Sequence, residues 1–386
     1  MSYNVKMNQN KILTTHTGSL PRPEELIKTM WALGDGIPVD NKILEERIAE
    51  AVYLIVEKQL NAGIDIINDG EMSKPSYATY VKDRLSGFGG ESPENYFFAD
   101  LHDFPKSNEI VGANPGRKKR TAPACNEPLE VADPKAAELD MVNLTNAAKK
   151  FDAPFMFSSS ASPGVISLFF KNTFYKTDEE YVFAIADAMQ HEYEAIAATG
   201  AFVQLDCPDL AMGRHTEYAE LDEKAFQKRA SLNIEALNHS VRNIPSEQLR
   251  MHLCWGNYPG PHHCDISIEK IIDLVWKAKP NTILFEAANP RHAHEWELFK
   301  NHKLPDDKVI CPGVIEPQSN YIEHPQLVAQ RIERYANLVG KERVMAGVDC
   351  GFSIHVGMQG IDPDVAFAKL NALAEGAAIA TDRLWR

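Results

Sequence analysis

Arg250-Met251-His252-Leu253-Cys254-Trp255 is the stretch of sequence around which the rest of the chain is organised. It lies between two helical patterns and predicts a β-strand, in which successive side chains point to opposite faces. His252 and Cys254 therefore share one face and can grip one ion, and imidazole and thiolate suit zinc better than magnesium or calcium. Taken alone, a His and a Cys two residues apart are more often ordinary strand packing. The identity of the other ligands decides between the two interpretations.

Composition and charge narrow the class of protein. The chain has 386 residues, a net charge of −14 and 44% hydrophobic residues, which suffices for one large α/β domain or two ordinary ones. No run approaches the ~20 apolar residues of a membrane span, and residues 1–11 lack the apolar core of a signal peptide. We therefore expect a cytoplasmic protein. The acidic balance argues against nucleic acid or a membrane surface as partner.

The cysteines are spread along the chain rather than clustered. Six of them in a chain of this length do not make a disulfide framework, and a reduced compartment leaves the thiols free to act as ligands. They are Cys125, Cys207, Cys254, Cys264, Cys311 and Cys350.

Strand-like and helical patterns alternate along the chain. Helices are predicted at residues 41–61, 75–86, 134–150, 179–198, 222–242, 267–278, 291–301, 325–339 and 363–383. Strands are predicted at residues 12–17, 64–68, 154–157, 202–206, 249–255, 282–286, 308–315 and 343–349. Eight strands separated by helices predict an α/β fold with a parallel sheet closed as a (β/α)8 TIM barrel. A doubly wound open sheet is the alternative, but no Gly-x-Gly-x-x-Gly follows the first strand, so its nucleotide-binding version has no support.

Residues 88–130 interrupt the alternation. They are rich in Gly, Pro, Asn and charge and have no sustained period. We expect one barrel domain over residues 1–386 with this segment as a loop insertion after the second strand. The insertion contains the basic cluster Arg117-Lys118-Lys119-Arg120, which indicates a solvated loop or an anion-binding role.

The predicted strands end in residues that carry chemistry, at the edge where a barrel places its active site. Acidic, hydroxyl and sulfur groups dominate there. A rim needed only for stability would not gather them, because buried charge is costly unless it is paired or metal-bound. The residues are Ser19, Glu71, residues 158–160, Asp206, His252, Cys254, Glu286, Glu316 and Cys350.

Two of these residues complete the ligand set of the opening stretch. Glu286 ends an apolar strand, where it would by itself be an ion-pair partner more often than a ligand. Cys350 lies in Asp349-Cys350-Gly351, where by itself it would be an inert core thiol. Together with His252 and Cys254 they predict a four-ligand zinc site.

The loop of residues 256–265 offers rival ligands. Cys264 and the pair His262-His263 lie there, but a loop rich in Pro and Gly positions a ligand less well than strand ends do. Cys207 follows Asp206 and points to the opposite face if the strand continues, so it is expected to pack in the core.

The motifs resemble the catalytic zinc barrel of the cobalamin-independent methionine synthase family, whose single-domain relatives include epoxyalkane:coenzyme M transferases. The resemblance covers nearly the whole chain, from Thr14-Thr15-His16-Thr17-Gly18-Ser19-Leu20-Pro21 to Asp349-Cys350-Gly351. It implies a zinc ion (Zn2+) held by His252, Cys254, Glu286 and Cys350. It also implies substrate contacts by Ser19, Glu71 and Asp206, the last two at the amino group of homocysteine.

The sequence departs from the synthase pattern at two places. The synthase has a proposed proton-donating His after its seventh strand, and Gln318 stands there in this chain. The tryptophan-bearing folate segment of the synthase has no clear match near residues 160–168. Both departures leave the alkyl donor open among folate, corrinoid, sulfonium and epoxide compounds.

The resemblance implies a zinc-dependent S-methyltransferase or alkyltransferase. A metal lowers the pKa of a thiol from the ~8.5 of the free group, so the substrate thiol would bind as a nucleophilic thiolate. Glu286, which would leave the metal as the thiol arrives, and Glu316 are the predicted catalytic residues. The expected partners are a small-molecule thiol and a methyl or alkyl donor. Methyl transfer to homocysteine or a related thiol, as in methionine biosynthesis, is the leading prediction.

Three alternatives stay open. The first is an epoxide-opening thiol transferase of the epoxyalkane:coenzyme M type. The second is a zinc-dependent hydrolase, against which the two cysteine ligands count. The third is a non-catalytic zinc-stabilised or thiol-sensing protein, although structural sites cluster their ligands in short knuckles.

Overall fold

The structure, a computed structural model, describes residues 10–92, 98–112, 123–357 and 360–386. Nine strands lie in this part of the chain: β1 (Ile66–Ile67), β2 (Phe88–Gly89), β3 (Ala124–Cys125), β4 (Phe155–Ala161), β5 (Phe202–Asp206), β6 (Leu249–Leu253), β7 (Thr282–Phe285), β8 (Val309–Ile315) and β9 (Gly347–Val348). The α-helices of the same residues are α1 (Glu24–Gly34), α2 (Asn41–Asn61), α3 (Ala99–Asp103), α4 (Pro105–Gly112), α5 (Ala136–Lys150), α6 (Pro163–Phe169), α7 (Asp178–Ala198), α8 (Glu223–Ser240), α9 (Ile272–Val275), α10 (Pro325–Val339) and α11 (Pro363–Trp385).

Seven strands form one parallel sheet in the order β1-β4-β5-β6-β7-β8-β9. Neighbours in the sheet follow one another along the chain, so the order does not reverse as it would in the doubly wound alternative. The sheet curls until the segment at Thr14 contacts both of its edges. Thr14 forms a parallel bridge with Ala346, and its carbonyl accepts a hydrogen bond of 3.1 Å from the N–H of Ile66. The predicted α/β fold with a curled parallel sheet is therefore confirmed.

The alternation of side chains along β6 and β7 determines which residues face the interior of the curl. Met251 and Leu253 belong to the large core that includes the helices, and so do their neighbours in β7, Ile283 and Phe285. Leu284 belongs instead to a separate apolar cluster. The members of that cluster are Leu13, Ile66, Phe157, Leu284, Val309, Cys311 and Met345. His252 pairs in register with Leu284 and therefore shares its face.

Several predicted helices are confirmed, and three are wrong in length or type. The helices predicted at residues 41–61, 179–198, 222–242 and 325–339 agree with α2, α7, α8 and α10 to within two residues at each end. The helix predicted at residues 267–278 is broken into a 3-10 turn, Ile268–Lys270, and the single-turn α9. Its run of β-branched isoleucines has weak helix propensity. The helix predicted at residues 291–301 is the 3-10 helix Glu295–Lys300.

The helix predicted at residues 75–86 is reduced to the 3-10 turn Thr79–Asp83. Ser76 Oγ accepts a hydrogen bond of 2.9 Å from the N–H of Thr79 and competes with helical bonding. The backbone before the turn is used elsewhere, because Ser76 bridges to His355 and the carbonyl of Pro75 accepts from Val356. Tertiary pairing therefore overrides the local helical pattern.

Outside residues 88–130, the α-helices α1 and α6 were not predicted. Helix α6 carries sequence signals for its start, because Ser162 accepts a hydrogen bond from the N–H of Val165 and Pro163 occupies the first turn. Residues 12–17, predicted as the first strand, form a bridge at Thr14 rather than a continuous strand.

The segment of residues 88–130 contains more structure than a loop. Strands β2 and β3 pair antiparallel, and α3 and α4 lie between them. The basic cluster Arg117-Lys118-Lys119-Arg120 lies outside the described residues. Within the described part of the chain, no helix has the length and apolar character to cross a membrane.

Candidate metal centre

Three of the four predicted ligands converge at the carboxyl ends of the strands. His252 lies in β6, Cys254 follows that strand directly, and Cys350 follows β9. One ligand atom from each of these side chains lies within 4.8 Å of the others, and the two Sγ atoms are 3.5 Å apart. All three residues are buried. The fold therefore brings the His-x-Cys pair at the end of β6 together with a cysteine 96 residues after Cys254 in the chain.

Glu286 lies beside this cluster and its oxygens bond to protein donors. It follows β7 directly and is buried. Its Oε1 accepts a hydrogen bond of 2.7 Å from the backbone N–H of Trp255, and its Oε2 accepts one of 2.8 Å from Asn289 Nδ2. The carboxylate is thus held next to Cys254, on the side of the cluster that faces a cavity also lined by Cys350.

The donor set fits a zinc ion. Tetrahedral zinc with bonds to sulfur of about 2.3 Å separates two thiolate sulfurs by about 3.8 Å, close to the observed separation of Cys254 and Cys350. Burial raises the pKa of Glu286 well above its ordinary range, and the neighbouring Cys254 sulfur raises it further. A divalent cation would compensate these buried groups, and mixed sulfur and imidazole donors select zinc over magnesium or calcium.

The backbone of the opening stretch supports both groups. The N–H of Gly256 donates to Cys254 Sγ over 3.3 Å, while the preceding N–H of Trp255 donates to Glu286. Gly256 has a φ of 107°, a conformation that side chains other than glycine rarely adopt. The turn after β6 is therefore shaped to present two donors to the ligand cluster.

A pocket opens on the other side of the cluster and gathers the predicted substrate contacts. Its wall includes Ser19, Glu71 and Asp206 together with the predicted ligands His252, Cys254 and Cys350. Thr17, Tyr77, Pro208, Gly256, Asn257, Gly351 and Ile354 complete it. Predicted ligands and predicted substrate contacts thus share one pocket.

Glu71 presents a free carboxylate oxygen. Its Oε1 accepts a hydrogen bond of 2.7 Å from Ser159 Oγ, whereas its Oε2 has no hydrogen-bond partner among the described residues. Burial raises its pKa to about 7, and the charge of Asp206 contributes to the rise. Glu71 has a φ of 60°, in the left-handed region that is strained for this residue type. These features suit a carboxylate that is completed by a cationic donor.

Asp206 lies between Glu71 and the ligand cluster. Its Oδ1 accepts a hydrogen bond of 3.0 Å from Gln204 Nε2 and lies 3.4 Å from His252 Nδ1. Ser19 lies across the pocket, where its carbonyl accepts a hydrogen bond of 2.9 Å from the N–H of Phe352. The exit of the first predicted strand is thereby tied to the chain just after Cys350.

Glu316 and Gln318 lie on a second, larger cavity of about 220 Å3, on the far side of Cys350 and Glu286. Glu316 Oε2 accepts a hydrogen bond of 3.0 Å from the N–H of Ser319, and its other oxygen accepts from the N–H of Gln318. The carboxylate therefore orders its own loop at the cavity wall. Tyr258, His262 and Arg291 also line this cavity.

The rival ligands in the loop of residues 256–265 lie apart from the central cluster. His262 faces the larger cavity, where its Nδ1 lies 3.0 Å from Asp265 Oδ2. His263 and Cys264 group with Asp103 of α3 instead. Cys207 is buried in the large core, as predicted.

Sequence reasoning missed the residues that hold the ligands in place. Asp349 accepts hydrogen bonds from the backbone of residues 287–289, and Asn289 binds both Asp349 and Glu286. Asn257 Nδ2 donates to the carbonyl of Gly351 over 2.5 Å. The available signal was position alone, since each residue lies within three positions of a predicted ligand.

Comparisons with known proteins agree with the resemblance predicted from the motifs. No protein-family model matches the chain. It is 23% identical to a methionine synthase of Saccharolobus islandicus over 376 residues, 97% of this chain and 96% of that protein. It is 24% identical to a methionine synthase of Thermococcus kodakarensis over 375 residues, 97% and 94% of the two chains.

A solved structure shares the fold. The B12-independent methionine synthase from Shewanella sp. W3-18-1, in complex with selenomethionine, superposes with a TM-score of 0.72 at 20% identity and covers 97% of this chain and 99% of its own. The predicted resemblance to the cobalamin-independent methionine synthase family is thereby confirmed over nearly the whole chain.

Proposed function

We propose that this chain is a zinc-dependent transferase that alkylates a thiol, and that its reaction is methyl transfer to homocysteine or a closely related amino-acid thiol. One observation carries the proposal. The pocket that contains the cluster of His252, Cys254 and Cys350 also contains the carboxylates of Glu71 and Asp206. A thiol bound at the cluster would have its tail within reach of those carboxylates.

The proposed zinc ligands are His252, Cys254, Glu286 and Cys350. When bound, zinc would lower the pKa of an incoming thiol and hold it as a thiolate. Glu286 already accepts hydrogen bonds from Trp255 and Asn289. Those bonds would stabilise the carboxylate away from the metal when a substrate sulfur replaces it as a ligand. Glu286 is therefore the ligand that we expect to exchange.

The two carboxylates favour a thiol that carries an ammonium group. Glu71 Oε2 lacks a hydrogen-bond partner among the described residues, and a buried carboxylate oxygen left without a donor is costly. An ammonium group offers up to three donors and a compensating charge. The sulfonate of coenzyme M would instead be repelled, so the pocket favours an amino-acid thiol over the epoxyalkane:coenzyme M alternative.

The cavity of about 220 Å3 on the far side of Cys350 is the proposed site of the alkyl donor. Glu286 and Glu316 lie in its wall, and Glu316 orders the loop that carries Gln318. We propose that Glu316, predicted as a catalytic residue, borders the alkyl donor in this cavity and also keeps its wall in place. The side chain of Gln318 is a neutral amide and does not replace a protonated histidine as proton donor.

Closure of the sheet into a barrel would support this assignment. We propose that the curled sheet and the segment at Thr14 make a complete (β/α)8 barrel, and that the chain is one domain with residues 88–130 as an insertion. The bonds of Thr14 to Ala346 and Ile66 support closure, because they join the two edges of the sheet. The active site of such a barrel lies at the carboxyl ends of its strands.

Binding of a panel of thiols tests the proposal. Calorimetry on the zinc-loaded chain should give tight binding of homocysteine and weaker binding of cysteine and coenzyme M. Zinc-edge absorption spectroscopy should show one added sulfur ligand with homocysteine. If no thiol adds a sulfur ligand to the metal, the proposed thiol activation is wrong.

Two variants test the role of the carboxylates. Glu71→Gln and Asp206→Asn should each weaken homocysteine binding by roughly tenfold or more, as expected when a charge-assisted hydrogen bond of about 1.5–3 kcal/mol is lost. Both should leave the binding of a simple alkyl thiol unchanged. Glu375→Gln, at an exposed carboxylate of α11, is the matched control and should bind homocysteine as the wild type does. Equal losses for homocysteine and the simple thiol would contradict an ammonium contact.

A further inference from the structure

A second group of metal-ligating side chains lies where the insertion meets the loop after β6. Asp103 ends α3, and His263 and Cys264 lie in the loop of residues 256–265. One ligand atom from each of the three lies within 4.8 Å of the others. The group is distinct from the buried cluster around Cys350, because its members are exposed or half-buried.

We propose that Asp103, His263 and Cys264 form a second binding site for a soft divalent cation such as zinc, which fastens the insertion to the loop that lines the larger cavity. The site goes beyond the proposed transferase reaction and does not depend on it.

The distances support coordination by all three residues. His263 Nε2 lies 3.5 Å from Cys264 Sγ, and tetrahedral zinc separates a nitrogen and a sulfur ligand by about 3.6 Å. The same Nε2 lies 2.9 Å from Asp103 Oδ2, and zinc separates a nitrogen and an oxygen ligand by about 3.3 Å. The exposed carboxylate of Asp103 needs to move by only a few tenths of an ångström to reach that separation. Water from solvent completes a fourth position.

The charges around Cys264 also suit a cation. The carboxylates of Asp100, Asp103 and Asp265 act on its thiol from one neighbourhood, and Arg214 opposes them. A second guanidinium, that of Arg291, donates to the carbonyl of His263 over 3.2 Å, so three carboxylates stand against two guanidinium groups around the site. Binding would convert the Cys264 thiol to a thiolate and release its proton to solvent, so binding tightens as the pH rises.

The site would reinforce a contact that the protein already makes. Asp100 Oδ2 accepts hydrogen bonds from Tyr258 Oη over 2.5 Å and from the N–H of His262 over 2.9 Å. Tyr258 and His262 both line the larger cavity. An ion at Asp103, His263 and Cys264 would add a second link between the insertion and this loop, beside the hydrogen bonds of Asp100. The order of the cavity wall would then depend on metal occupancy.

Titration of the full-length, metal-stripped chain with Co2+ tests the proposal. Cobalt bound to thiolate gives charge-transfer absorbance, and the wild type should bind two equivalents with this signal. Cys264→Ser should lose one equivalent and keep the other. Cys350→Ser should lose the other and keep the equivalent that depends on Cys264. If no cobalt equivalent of the wild type is lost in Cys264→Ser, the proposal is overturned, whether or not the central cluster binds cobalt.

A matched pair of surface variants separates coordination from general surface binding. Asp103→Asn replaces a charged ligand with a neutral amide and should weaken the second equivalent by more than roughly tenfold, since even an outer partner of a ligand is worth about that much. Asp273 forms a similar exposed pair with His302, at 2.9 Å, but among the described residues this pair belongs to no cluster of three metal-ligating side chains. Asp273→Asn should therefore bind as the wild type does. Equal effects of the two variants would contradict a specific site.

Hydrogen exchange measures whether the second ion orders the two segments that it joins. In the wild type, the second equivalent should slow exchange of backbone amides in residues 99–103 and 256–265. In Cys264→Ser, the same metal concentration should leave exchange in both segments unchanged. Slowing in the variant would mean that the central site alone orders the loop.

Discussion

Asp349 accepts hydrogen bonds from both the backbone N–H and the side-chain amide of Asn289, at 2.8 and 3.0 Å. The same amide nitrogen donates to Glu286 Oε2 over 2.8 Å. Asp349 also accepts from the N–H groups of Ala287 and Ala288. The carboxylate next to Cys350 therefore fixes the turn after Glu286, and two proposed ligands from different strands are held by one residue between them.

Replacing Asp349 should loosen both ligands together. Asp349→Asn keeps the size but loses the charge that accepts three backbone bonds, so we expect zinc affinity to fall about 10–100-fold, the usual cost of removing a group that orients a ligand. Competition with a chromophoric chelator measures the change. The conservative Glu375→Gln on α11 is the control and should leave affinity unchanged. Wild-type affinity in Asp349→Asn would mean that Cys350 and Glu286 need no such support.

The grouping of the proposed ligands could be predicted from sequence because their signals are local. His252 and Cys254 follow the two-residue period of a strand, and Glu286 and Cys350 lie where apolar strand runs stop. Asp349 could not be assigned its role in the same way. Its partners lie about sixty residues earlier, and only the parallel order of β7, β8 and β9 brings them close.

The helix predicted at residues 75–86 failed for a related reason. The pattern of residues 75–86 is helical, but its backbone pairs with the chain near His355, which no local signal indicates. Glu286 stays a predicted member of the ligand set. The structure holds its carboxylate on Trp255 and Asn289, an arrangement that depends on a turn whose backbone donors are not visible in a residue pattern.

Ser19 and Gly351 make a second testable pair. A Cβ at Gly351 would lie 2.0 Å from Ser19 Oγ, so an alanine there would force the hydroxyl or the turn after Cys350 to shift. Gly351→Ala should lower the free energy of unfolding by about 1–3 kcal/mol, as overpacking does, and should weaken thiol binding. Chemical denaturation measures the first effect and calorimetry the second.

A double variant shows whether the clash is the cause. Ser19→Ala removes the hydroxyl, and the remaining methyl group is 3.2 Å from the same position, so Gly351→Ala should be partly rescued in this background. Additive losses in the double variant would show that the alanine acts by another route.

Removal of metal should abolish activity without melting the fold. The ligands come from strand ends above a large apolar core, so the apolar contacts of that core do not depend on an ion. A chelator should therefore eliminate thiol alkylation while far-ultraviolet circular dichroism stays unchanged, and added zinc should restore the reaction. Loss of helical signal together with the metal would favour the non-catalytic, zinc-stabilised alternative.

A buried hydrogen-bond network around His292 should make the free energy of unfolding depend on pH. His292 Nε2 lies 3.0 Å from Asp265 Oδ2, and its Nδ1 lies 2.9 Å from Glu295 Oε2. Although burial lowers the pKa of His292, its bonds to Asp265 and Glu295 outweigh it and raise the pKa from 6.5 to about 10. Burial likewise opposes ionisation of Asp265, but the bonds from His262 and His292 lower its pKa to about 2.

These shifts set the direction of the pH effect. The raised pKa of His292 contributes stability that is fully present below pH 6.5 and is lost as the pH rises through about 10. The lowered pKa of Asp265 contributes stability that is present above its ordinary value of 3.8 and is lost as the pH falls through about 2. Because one pKa unit corresponds to about 1.4 kcal/mol, the loss on the alkaline side should amount to a few kcal/mol.

His292→Gln tests the alkaline part of this dependence. Glutamine keeps hydrogen-bonding groups but does not titrate, so the free energy of unfolding should be lower at pH 6.5 and should fall less between pH 6.5 and 10 than in the wild type. Urea denaturation at a series of pH values measures both slopes. His302→Gln is the matched control, because His302 forms a surface pair with Asp273 at 2.9 Å where solvent screens the charges. The control should keep the wild-type slope, whereas parallel slopes for His292→Gln and the wild type would contradict a charged His292 in the folded protein.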